Sequence, residues 1–247
     1  MTSINTTPIA FNGSFPIHYM ENMPLYVYLT FGATVLAAVW LFFIATNQSK
    51  IFLVSIGAWI VLQSVLSSIG FYSDPVSASK RFPMLFLPPL IFFVSRFFTK
   101  QGKLFIDGLD IKTLTIIHII RIPVELVLFW LFVHKSIPEA MTFEGRNFDI
   151  LSGLTAPLIY YFGFVKNKLS KSVIVAWNFA CLALLINVVS AAILSLPDRF
   201  QQFGFEQPNT ALGYFPFVLL PTCLVPLVIF SNLAAIRQLL IGKTIAV

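Results

Sequence analysis

The chain has 247 residues, 57% of them hydrophobic and only 11% charged, whereas a soluble domain carries about 45–50% apolar and about 25% charged residues. With a mean hydropathy of +0.86 and apolar runs long enough to cross a bilayer, it reads as an all-α integral membrane protein and not as a soluble domain. The net charge of +6 does not argue for nucleic acid, because the basic residues flank the apolar runs, where cytoplasm and anionic lipid headgroups receive them.

The first run, Leu25–Ala45, has no basic residue before it and exceeds a signal-peptide core. It reads as a retained helix behind an extracytoplasmic segment, residues 1–24. Ile51–Tyr72 follows, with Gln63 heading a polar stripe of Ser64, Ser67 and Ser68. The third run, Phe82–Phe98, is short and holds Pro88 and Pro89. Thr113–Val133 is fourth. The fifth, Asp149–Val165, is again short, with Pro157 inside. Val173–Leu196 is sixth, and Leu212–Ile236, interrupted by Pro216, Pro221 and Pro226, is seventh. Each approaches the ~20 residues a bilayer core demands. Residues 25–236 therefore form one bundle of about seven transmembrane helices, and residues 237–247 a short cytoplasmic tail. Cys181 and Cys223 lie inside apolar runs and read as packing residues.

Orientation follows from the basic residues of alternate loops. One side collects ten: Lys50, Arg96, Lys100, Lys103, Lys112, Lys166, Lys168, Lys171, Arg237 and Lys243. The other has five: Lys80, Arg81, Lys135, Arg146 and Arg199. The ten-residue side is expected in the cytoplasm, with the N-terminus outside and the C-terminus inside. Most acids, including Glu21, Asp74, Glu139, Glu144, Asp198 and Glu206, fall on the outer side.

The remaining basic residue, Arg121, sits inside the fourth run, in the stretch HIIRIPVE. His118, Arg121 and Glu125 are spaced i, i+3 and i+7, so they share one helical face. An ionisable group at the bilayer centre costs about 2.5–3.5 kcal/mol on insertion scales, so two are retained only when they pair, face a cavity, or both. Pro123 adds a polar feature, because it cannot donate to the carbonyl of Ile119. The functional reading has Arg121 anchoring an anion or carboxylate, Glu125 as a titratable or cation-binding group, and His118 as a proton-relay candidate. The plain alternative is an Arg121–Glu125 pair that only docks the helix. Matching depth adds Gln63, Thr155 and Asn187 as residues that could join the cluster. Asn178, nine residues from Asn187, faces the other way. A second polar concentration, PEAMTFEGRNFDI, precedes the fifth run. There Asn147 or Asp149 is expected to cap the next helix, with Gly145 making the turn.

Several classes lack their residues. The seventh run has no lysine for a retinal Schiff base, and SRFFTK and LLPTCLVPLVIFSN do not carry the signatures of a G-protein-coupled receptor. His18, His118 and His134 lie at different depths, which suits neither a metal hydrolase nor paired-histidine haem. No phosphate-binding loop, dinucleotide fingerprint or nucleophile elbow is present, so no cofactor is expected. The stretch RIPVELVLFWLFVHKSIPEAMTFEGRNFDILSGLTAP resembles one found in uncharacterised bacterial multi-pass membrane proteins. That resemblance implies a bacterial origin and an inner-membrane address, and carries no activity with it. Three functions stay open: a small-solute or ion carrier using Arg121 and Glu125, which the buried charges favour; an intramembrane enzyme acting on a lipid or isoprenoid; and a structural or assembly subunit. The expected partners are membrane lipids and a small solute or ion.

Overall fold

The computed structural model describes residues 23–73, 78–197 and 199–242, with the side chains of 78–80 left aside. Most of the segment 1–24, the end of the tail, and the side chains of His18, Glu21, Asp74, Lys80, Asp198 and Lys243 lie outside the described residues. Among the described residues every regular element is helical, with no strand.

Among the described residues, besides the short 3-10 turns Glu139–Met141 and Ala211–Gly213, eight helical units follow in order: α1 (Leu25–Ala45), α2 (Lys50–Ser68), α3 (Ala78–Ser95), α4 (Lys100–Gly108), α5 (Ile111–Val133), α6 (Ile150–Val165), α7 (Lys171–Ile193) and α8 (Leu220–Leu240). Five of them, α1, α2, α5, α7 and α8, are long and apolar enough to cross a membrane alone. The two segments that were short in the sequence are the exceptions. Residues Arg81–Ser95 of α3 qualify only together with α4, from which they are bent by 93°, and α6 is shorter than a full span.

Most boundaries shift by a few residues, and two departures from the sequence reading have a local cause. The basic stretch after α3, expected as a plain loop, folds into α4, with Thr99 accepting from the Gly102 N–H at 3.0 Å as its cap. The seventh segment begins its helix at Leu220 rather than Leu212. Pro216 and Pro221 lack the N–H groups that a regular helix through residues 212–221 would use, and the chain turns instead until Leu219. The Phe217 carbonyl, which Pro221 cannot reach, accepts from the Leu220 N–H at 2.9 Å.

The same logic operates one turn later. Pro226 frees the carbonyl of Thr222, and the indole N–H of Trp59 on α2 donates to it at 2.9 Å. Away from water a freed backbone carbonyl must find such a partner. Replacing Trp59→Phe should therefore cost about 1–3 kcal/mol, the penalty of an unsatisfied buried acceptor, read as a lowered melting temperature in detergent.

α8 is the central helix, with 78% of its apolar window buried. Its Phe230 ring packs against Phe42, Phe93, Phe97 and Phe105 at 4.7–6.4 Å between centroids. One end of the bundle is tied by Asn47 donating to the Gly108 carbonyl at 3.0 Å. There Arg237 also grips Asp107 through two bonds of 2.9 Å, and Gln238 donates to the carbonyls of Ile106 and Leu109. The opposite end gathers the two long loops. Ser67 donates to the Gly213 carbonyl at 2.9 Å, Gln207 to the Phe132 carbonyl at 2.8 Å, and Asn187 to the Arg146 carbonyl at 2.6 Å.

Candidate functional site

The polar centre lies where α5, α6 and α7 meet. Directly ahead of Pro123, α5 tightens into a 3-10 turn over Ile117–Ile120. α6 comes close to this turn through Gly153, where an added Cβ would stand 2.8 Å from Ile122 Cγ1, 3.1 Å from the Ile122 nitrogen and 3.3 Å from the His118 carbonyl. Only a residue without a side chain permits that approach. It brings Asp149, at the head of α6, onto Arg121 of α5. Gly153→Ala should push the helices apart and destabilise by about 1–3 kcal/mol, the usual cost of overpacking. The check is a melt of the purified variant beside wild type.

Arg121 Nη1 donates to Asp149 Oδ1 as a buried ion pair and to the backbone carbonyl of Cys181 on α7 at 3.1 Å. One guanidinium thus fastens three helices. Glu125, a turn further along α5, is bound by Asn147, whose amide donates to both carboxylate oxygens at 2.6 and 2.7 Å and to the Met141 carbonyl at 3.0 Å. The Asn147 oxygen in turn accepts from the Asp149 N–H at 2.9 Å, and Ser152 donates to Asp149 at 3.4 Å.

This corrects one reading and narrows another. Among the described residues, the ion pair of Arg121 is with Asp149, 28 positions away, and not with Glu125 on its own helix. Asp149 makes no capping bond at the head of α6, whereas the Asn147 oxygen accepts from the first free N–H there, that of Asp149, from a buried position. Both turn inward. Two carboxylates, an amide and one guanidinium are therefore shut together. Relative exposure is 0% for Asn147 and His118, 1% for Glu125, 2% for Arg121 and 4% for Asp149.

The other anticipated residues divide. His118 meets the ring of Trp177 edge-on at 5.4 Å, and Trp177 donates to Thr155 at 2.9 Å, so His118 and Thr155 share Trp177 as a neighbour and neither bonds to the cluster. Gln63 accepts from the Tyr72 hydroxyl at 2.8 Å, and Asn187 is exposed beside Arg146, so neither bonds to the cluster. Asn147, Asp149, Cys181 and Trp177 are the additions. The signal for the first two was an amide and an acid two positions apart, ahead of an apolar run.

Three further features bear on chemistry. Arg121 keeps Nε and Nη2 without a protein partner, as His118 does both ring nitrogens. A cavity of about 60 Å³ touches Glu125 and Asp149, but not Arg121, and is otherwise walled by apolar side chains such as Phe82, Val124, Leu185 and Pro221. That is room for a few waters, each needing about 10–15 Å³. Among the described residues no group of three or more His, Cys, Asp or Glu side chains is placed to hold a metal ion.

No curated protein and no solved structure matches the chain. Residues 81–240, from α3 through α8 and including every member of the buried cluster, match a family described as a domain of unknown function, DUF8737. The chain belongs to that family.

Proposed function

We propose that this protein is a carrier for a small solute or ion, with its site at the buried centre formed by Arg121, Asp149, Glu125 and Asn147. In this reading it crosses the cytoplasmic (inner) membrane of a bacterium seven times, with α3 and α6 as the short spans, the N-terminus outside and the C-terminus inside. The distribution of charge supports that orientation. The end tied by Asn47, Asp107 and Arg237 carries most of the basic residues, and the end with the long loops carries few.

The observation that carries the carrier reading is the unequal charge of the centre. Two buried carboxylates share one guanidinium, and Asp149 takes it. Glu125 is left with neutral donors. A lone carboxylate in so dry a place is costly to keep ionised, so it holds a proton or a cation, and releasing either requires the centre to open. The cavity reaching Glu125 and Asp149 supplies the start of a route, and the unpartnered nitrogens of Arg121 and His118 supply polar positions for a solute. The test is flux. In sealed vesicles containing the purified protein, an imposed pH gradient should move protons or drive uptake of a member of a panel of small anions and cations, above the level of empty vesicles. No flux under any gradient would remove the proposal.

A second reading, that of a structural or assembly subunit, is favoured by one observation: Arg121 is held by Asp149 and the Cys181 carbonyl and does not reach the cavity. In that case the cluster serves only to fasten α5, α6 and α7.

A further inference from the structure

A much larger space lies away from the buried centre, between α1, α2 and α3, with α4 at its end. Its volume is about 530 Å³, within the roughly 300–1,000 Å³ typical of sites for organic ligands. The rings of Phe42, Phe52, Trp59 and Phe93 line it, making a wall suited to a hydrocarbon chain. At one end the lining turns polar, with Ser49, Arg96 and Gln101. Arg96 stacks over the Phe92 ring at 4.4 Å and, among the described residues, has neither a carboxylate partner nor a side-chain hydrogen bond. Arg96 lies at the 93° bend between α3 and α4, at the basic end of the bundle. An unpaired cation closing an apolar cleft is complementary to an anion carried on a hydrocarbon tail.

We infer that this cleft is a binding site for an anionic membrane phospholipid, its acyl chain among the phenylalanine rings and its phosphate on Arg96 and Gln101. The occupant is a lipid and not free phosphate, because most of the cleft is apolar and only the tail fills it. The site is separate from the Arg121 centre and stands or falls independently of it.

The experiment is a thermal melt of the full-length protein, stripped of lipid in mild detergent and supplied with phosphatidylglycerol, phosphatidylcholine or inorganic phosphate. Phosphatidylglycerol should raise the melting temperature at concentrations about tenfold or more below those phosphatidylcholine requires, because both present a phosphate to Arg96 but the choline ammonium of the second offsets its charge, and phosphate alone should not raise it. Arg96→Gln should make the two lipids equivalent. Lys103→Gln, on the exposed face of α4 and outside the cleft, should preserve the preference. Ser55→Trp, at the exposed edge of the cleft, should fill it and remove the shift by either lipid, and it serves in place of Arg96→Gln should that variant fail to fold. Equal potency of the two lipids overturns the assignment, as does a shift with phosphate alone. So does a preference that survives Arg96→Gln or Ser55→Trp, or one lost in Lys103→Gln, which would mark diffuse surface attraction.

Discussion

Arg121→Ala should destabilise the protein by about 3–5 kcal/mol, the cost of breaking a buried pair and stranding its partner. The stranded group is Asp149, so adding Asp149→Ala should recover most of the loss, whereas adding Glu125→Ala should recover little. A double-mutant cycle on melting temperatures separates the two outcomes, because only groups in direct contact give a large coupling energy. Cys181 provides a second readout. Its thiol is buried, and its own backbone carbonyl accepts from Arg121. Loosening that contact should make it react with a maleimide in folded protein at a rate wild type does not show. Equal recovery by the two second substitutions would mean that the guanidinium serves both acids alike.

Glu125→Gln should leave the fold nearly intact and abolish proton- or cation-linked flux. The amide of glutamine keeps one oxygen for the Asn147 N–H donors and has nearly the same volume, so the stability change should stay within the about 1–3 kcal/mol of one unpaired buried donor, below that of Arg121→Ala. What it removes is the capacity to take up and release a proton or to hold a cation. The measurement is uptake into vesicles beside wild type at matched protein density. A variant that transports as well as wild type would show that Glu125 has no part in coupling, and a variant that fails to fold would point to the fastening role instead. Asn147→Leu provides the comparison, since it strips Glu125 of its donors and should lower stability by more than Glu125→Gln does.

The helices were legible because runs long and apolar enough to cross a membrane stand out in the sequence, and α1 matches its expected bounds at both ends. The short third and fifth segments were legible as oddities, and they are the ones that fall below a full span. The polar centre was half legible. Arg121 and Glu125 announced themselves by their cost, and a helical wheel put them on one face. Their partners were hidden because pairing within a helix is local, whereas Asp149 and Asn147 reach them only through the approach of α6 at Gly153. Periodicity carries no information about which loop bends inward. Gln63 and Asn187 were misleading for a related reason. Matching depth along two helices says nothing about whether they turn toward each other, and Tyr72 and the Arg146 carbonyl took their hydrogen bonds instead.

If α6 crosses the bilayer as proposed, its brevity has a consequence for the surrounding lipid. Its eleven α-helical and five π-helical residues rise at most about 24 Å at 1.5 Å per residue, against a hydrocarbon thickness of about 30 Å. Around such a helix the bilayer must pinch inward, or the flanking segments must dip below the headgroups. A dip on the side of the segment ahead of it would carry Asn147 and Asp149 below the headgroups. A thinned collar of lipid there would shorten the distance from bulk water to the arginine, and would favour residence in thinner membranes over thicker ones.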